Sequence, residues 1–172
     1  MPQFARTKVM LQDDCYREKP ERININYVGP NPIKVYYKTY ELIKSIFRVA
    51  DSDIQEERFS WGKGEKEKFK VRWYVHKDLD VYTYMFFVVD ANGSGDEKSG
   101  SAEVKVKPVI RTEYPQDTIW QRSLFYEMLR VFWHRSFYSK KREQYAEDCR
   151  NMVSIFAKNI HEFFRLLREE SS

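Results

Sequence analysis

Chemistry in this chain of 172 residues would start from its histidines, cysteines and clustered carboxylates, and these are sparse. His76, His134 and His161 stand far apart in sequence. Only the turn His76-Lys77-Asp78 sets a carboxylate beside one of them, and none has the ligand spacing that a zinc site needs. Isolated histidines are ordinarily solvated or hydrogen-bonded structural residues, so no metal is expected. Asp51, Asp53, Glu56 and Glu57 form the densest acidic group. Inside a pocket, two of them would act as general acid and base if burial drove their pKa values apart. On a loop and a wetted strand they are plain surface charge, which is the commoner case. No serine or cysteine sits in a nucleophile elbow, and Gly93-Ser94-Gly95 precedes no helix that would cradle a phosphate. Neither a catalytic residue nor a cofactor is therefore expected.

Binding chemistry is better represented. Aromatic residues make up 16% of the chain, enough for a ring-rich core or for an apolar cavity lined by rings. The stripe Trp120, Phe125, Phe132, Trp133 and Phe137 reads first as core. As a cavity wall it would face Trp73, Met85 and Phe87 of the strands, with Tyr82, Tyr84, Tyr114 or His134 as polar anchors. The residues expected to line such a pocket are Trp73, Tyr82, Met85, Phe87, Tyr114 and Trp133. A second candidate surface is basic: Lys68, Lys70, Arg72, Lys105 and Lys107, with Tyr74 alongside, have the mixture that single-stranded nucleic acid uses. Glu65, Glu67 and Glu103 interrupt it, which favours an ordinary mixed face.

These side chains must be positioned by strands first and helices last. Phe4 to Arg17 and Arg22 to Val28 alternate as strands, and Asn31-Pro32 starts a helix running to about Val49. Its apolar residues Ile33, Tyr36, Tyr37, Tyr40, Ile43 and Phe47 predict one buried face. Four strands follow. Ile54 to Trp61 is the first, and Lys68 to His76 turns Phe69, Val71, Trp73 and Val75 one way. After a turn at Lys77-Asp78, Leu79 to Val89 is apolar on both faces. A loop spans residues 92–100, and Ser101 to Tyr114 points Ala102, Val104, Val106, Ile110 and Tyr114 inward. Pro108 inside that strand predicts an edge or a bulge. Beyond Pro115 the pattern is helical, with a capping box at Thr118 and Gln121. Leu124 to Trp133 is so continuously apolar that deep burial is expected, and Glu143 to Leu167 is amphipathic. One unbroken helix would outrun a domain of this size, so a turn at Ser136 to Arg142 is expected, or else a projecting segment.

The fold class is thus α+β, with a curved antiparallel sheet, one N-terminal helix and long C-terminal helices in one domain over residues 1–172. The sheet and first helix occupy 1–115 and the helical region 116–170. The pairing of a meander, Ile54 to Tyr114, with an aromatic helical segment, Thr118 to Leu167, resembles the helix-grip superfamily of lipid-transfer (START), pollen-allergen and polyketide-cyclase proteins (SRPBCC). The added strand Arg22 to Val28 and the length of the terminal helix depart from that pattern. The resemblance implies an apolar small-molecule ligand held between sheet and C-terminal helix. The other partners considered are a second copy of the chain, joined through its C-terminal helices, and nucleic acid on the basic strands. No run is long and apolar enough for a membrane span. With no leader-like N-terminus and only Cys15 and Cys149, two buried thiols in a reducing, cytoplasmic setting are expected.

Overall fold

The computed structural model describes residues 8–16, 21–115 and 118–170. The expected start of the first strand at 4–7, its end at Arg17 and the break at 18–20 lie outside them. The described residues form one curved, six-stranded antiparallel sheet. Its strands are β1 (Lys8–Asp14), β2 (Ile23–Val28), β3 (Ile54–Gly62), β4 (Glu67–Asp78), β5 (Thr83–Gly95) and β6 (Gly100–Pro115). Their order is β1-β6-β5-β4-β3. Helix α1 (Lys34–Phe47) and helix α3 (Ser139–Glu169) pack on one face of this sheet and on each other.

The apparently extra strand adds no new position to the sheet. β1 pairs with residues 109–115 of β6 and β2 with residues 101–106, so the two divide one edge between them. Pro108 falls at the gap. Its carbonyl accepts from the Cys15 amide at 3.4 Å, so its nitrogen points to the same side, where the edge strand is interrupted. A missing N–H costs least there, which explains a proline within a strand paired on both sides. At the far end of β6, Gly95 and Gly100 face each other so closely that a Cβ on either would come within 2.7 Å of the other's Cα and of the Pro32 ring. The hairpin loop is accordingly shorter than the expected 92–100, with β5 reaching Gly95.

The inward faces read from the sequence hold for β4 and β6. Phe69, Val71, Trp73 and Val75 are buried, as are Val104, Val106 and Ile110. The α1 face is rotated by about one residue. Val35, Thr39, Leu42, Ile43 and Phe47 are buried, whereas Tyr37 is exposed. The Phe47 ring stacks on Phe87 at 4.2 Å and on Phe156 of α3 at 5.3 Å. Three aromatic layers from helix, sheet and helix thus fill the interior where a ligand cavity was expected.

Cys15, just beyond β1, is disulfide-bonded to Cys149 of α3, with Cα atoms 6.2 Å apart. This corrects the expectation of two free thiols. A separation of 134 residues gave no sign that the pair would meet, and only the docking of α3 against the sheet edge brings them within bridging distance. The thiols had been the argument for a reducing, cytoplasmic setting, and that argument falls with them.

The turn expected at Ser136 to Arg142 is not formed. Helix α2 (Leu124–Trp133) passes through a π-helical segment, His134–Tyr138, into α3. The rod is 46 residues long, or about 69 Å at 1.5 Å per residue. The Thr118–Gln121 capping box is present, with bonds of 3.0 and 3.2 Å, but it closes the short turn Trp120–Arg122. Ser123 caps α2 itself, accepting from the Tyr126 amide at 3.2 Å. The deep burial expected of Leu124 to Trp133 is not observed. Leu124 is 79% exposed, Met128 64% and Trp133 55%. A 69 Å rod overhangs the sheet that covers its C-terminal half, and α2 is the overhang. Among the described residues no helix is long and apolar enough to cross a membrane.

Candidate functional site

The overhanging helix leaves a cleft between itself and the end of the sheet where β5 begins and β6 finishes. Tyr82 and Tyr114 form the sheet side, with ring centroids 5.6 Å apart. Tyr126, Leu129, Arg130 and Trp133 supply most of the helix side, and Phe137 packs on Trp133 at 5.2 Å. The volume is about 320 Å³, at the small end of the range for ligand sites. Of the six residues expected in a pocket, Tyr82, Tyr114 and Trp133 meet here. Trp73, Met85 and Phe87 lie apart from them in the packed core. Trp73 is enclosed by Tyr36 and Tyr40 of α1.

Arg130 is the charged group of the cleft. Its side chain is 11% exposed, pairs with Glu127 at 2.8 Å through one terminal nitrogen and lies over the Tyr114 ring at 5.4 Å. Its buried Nε has no hydrogen-bond partner among the described residues. Sequence periodicity did not single out this arginine. The signal was its solitude, with Glu127, in an otherwise apolar run.

Behind the cleft wall, Arg142 donates to His134 Nε2 at 2.6 Å and also pairs with Asp13 of β1. An arginine cannot accept, so the His134 proton resides on Nδ1 and is directed at the Tyr114 hydroxyl, 3.0 Å away. Burial, and then the Arg130 charge, lower the His134 pKa, in keeping with a neutral ring. Both ring nitrogens are engaged, so His134 orients Tyr114 and is not available as a base.

Next to this group, Asp80 joins the β4–β5 connection to the start of α3. One carboxylate oxygen accepts from the amides of Tyr82 and Thr83 at 2.9 Å, and the other from the hydroxyls of Tyr138 at 2.7 Å and Tyr145 at 2.9 Å. Lys141 stands 3.3 Å away. Burial would raise the Asp80 pKa, but these donors outweigh it and hold the group at about 2. Burial and the neighbouring carboxylate push the Tyr138 hydroxyl upward. A carboxylate held this low is a poor proton acceptor at neutral pH, and a phenol held high is a poor donor.

The other sequence candidates are dispersed. Asp51 accepts from Tyr40 and Lys44, Asp53 from the Ala50 amide, and Glu57 lies against Arg72. These are surface contacts, and they form no carboxylate pair. His76 contacts Asp78 at 2.8 Å and stacks on Tyr84, while His161 meets the edge of Phe164. Among the described residues, no group of three His, Cys, Asp or Glu stands together as metal ligands would. On the sheet face away from the helices, Arg72 is bonded to Asp90, Lys105 pairs with Glu103 and Lys107 with Glu21. Compared with protein-family models and with curated proteins, the chain matches none. The site must therefore be read from its own chemistry.

Proposed function

We propose that this protein is a non-catalytic module that holds a hydrophobic or aromatic small molecule in the cleft between the end of the sheet and the C-terminal helical rod. The observation that carries the reading is the composition of that cleft: rings and Leu129 around a single, nearly buried guanidinium whose Nε has no partner. An apolar body would lie against Tyr82, Tyr114 and Trp133, and a carboxylate or similar acceptor on it would complete Arg130. The order of strands and helices agrees with what the helix-grip resemblance implies and supports the reading. The place proposed for the ligand differs, because stacked rings fill the interior around Phe47 and Phe87. The nucleic-acid alternative draws little support from a sheet face on which three of its five basic residues already lie against carboxylates.

The test is a fluorescence titration of the full chain with anilinonaphthalene sulfonate, an aromatic anion. Leu129→Trp, which fills the cleft, is expected to weaken binding at least about tenfold. Leu124→Gln, on the side of α2 away from the cleft, should leave it within about twofold. Binding that is indifferent to Leu129→Trp would remove the cleft from consideration.

A further inference from the structure

Helix α2 is amphipathic in the inverted sense. At about 100° per residue, Tyr126, Glu127 and Arg130 share one side, and these are its half-buried positions, turned toward the protein. Leu124, Phe125, Met128, Leu129, Val131, Phe132 and Trp133 sweep the remaining arc of about 200°, and all seven are exposed. A helix at the surface of a water-soluble body normally does the reverse. Just before it, Ile119 and Trp120 are also exposed, at 91% and 59%.

We propose that this face docks on an anionic lipid surface, with α2 lying in the plane of the interface. The width of the arc is the first argument. A helix packed on a single neighbour needs an apolar stripe of roughly 100°, so a second copy of α2 would leave half of this one wet. A bilayer surface covers a broad arc at once. Side-chain type is the second. Trp120 and Trp133 at the two ends, with Phe125 and Phe132 between them, are the amphipathic and aromatic side chains that favour the headgroup boundary.

Charge complementarity is the third. Residues 118–142 contain six basic residues and one acidic residue, Glu127, whereas the whole chain has a net charge of only +4. The basic excess of the protein is thus gathered on the segment that carries the exposed apolar arc. Arg130 and Arg142 are turned inward to Glu127 and Asp13, and Lys141, half exposed, pairs with Asp80. Arg135 and Lys140 are exposed on the rim, where phosphate headgroups would meet them. The arc shares Leu129, Phe132 and Trp133 with the ligand cleft, whereas Leu124, Phe125 and Met128 do not line it, so substitutions at these three positions test the docking alone.

The experiment is flotation of the full chain with phosphatidylcholine vesicles, with and without phosphatidylglycerol, alongside sedimentation equilibrium in the absence of lipid. Expected is binding to the anionic vesicles that weakens as salt is raised, and a monomer in solution. Phe125→Glu with Met128→Glu should reduce partitioning more than tenfold. Both side chains are exposed, so the thermal transition should be unchanged, which separates lost docking from lost folding. Arg135→Gln and Lys140→Gln should each weaken binding to the anionic vesicles about fivefold, with little effect on neutral ones. Absence of vesicle binding at low salt would overturn the proposal. So would a dimer that Phe125→Glu with Met128→Glu dissociates, since a second copy of the chain would then be the occupant of this face.

Discussion

Replacing Asp80 by Asn tests whether the loop between β4 and β5 is held by charge. The side chain is isosteric and keeps one carbonyl oxygen, so the two backbone amides that point at Asp80 can still be satisfied. What is lost is the ionised carboxylate facing Tyr138, Tyr145 and Lys141. The wild-type group titrates at about 2 in the folded protein against an ordinary value of 3.8, which corresponds to roughly 2 kcal/mol of folding stability. Asp80 is only 17% exposed, so solvent screening removes little of this. The folded carboxyl binds its proton less readily than the unfolded one. Its contribution is therefore complete above about pH 5, and it is lost as the pH falls from near 3.8 through about 2. Urea unfolding followed by circular dichroism, repeated from neutral to strongly acid pH, reads this directly. At neutral pH Asp80→Asn should unfold roughly 2 kcal/mol more easily, with a transition temperature about 4–8 °C lower. The gap should close as acid is added. A gap that stays constant with pH would mean that the mutation acts through packing, and a gap below about 0.5 kcal/mol would mean that Asp80 holds nothing.

Dithiothreitol, or Cys149→Ser, should destabilise the chain by about 2–5 kcal/mol, since the bond closes a loop of well over a hundred residues. The denatured protein should take up alkylating reagent only after reduction, and uptake by unreduced protein would contradict the bond. Phe87→Ala should cost about 3–5 kcal/mol in chemical unfolding, because Phe47, which stacks on both Phe87 and Phe156, loses the nearer of its two partners. It should leave anilinonaphthalene sulfonate affinity within about twofold. A large gain of internal probe binding in the wild type, abolished by this mutation, would place the ligand back inside the grip.

Side-chain alternation carries its meaning wherever both faces of an element have distinct fates, and so β4 and β6 were legible. Phe69, Val71, Trp73 and Val75 had to share a face because the pleat has a period of two, whatever the sheet packed against. The α1 face was nearly legible, but tyrosines satisfy a helical period without being core. Tyr37 kept the spacing and stayed wet, while Val35 took its place. Pro108 signalled an edge or a bulge. The answer was a gap in the neighbouring strand, which no local pattern in β6 contains.

The sequence by itself determined the class of the fold, the facing of its central strands and the apolar character of residues 124–133, since these follow from local periods and from composition. Tertiary structure alone decided that Cys15 and Cys149 bond, that Asp80 gathers two tyrosines from the C-terminal rod, and that Tyr82, Tyr114 and Trp133 meet while Trp73, Met85 and Phe87 do not. Each of these depends on where α3 docks and on how far the rod extends beyond the sheet, which are global quantities. Hydrophobic pattern records that a surface avoids water. It does not record whether protein, ligand or lipid takes the place of that water, and α2, read as core and found facing outward, is where the distinction matters.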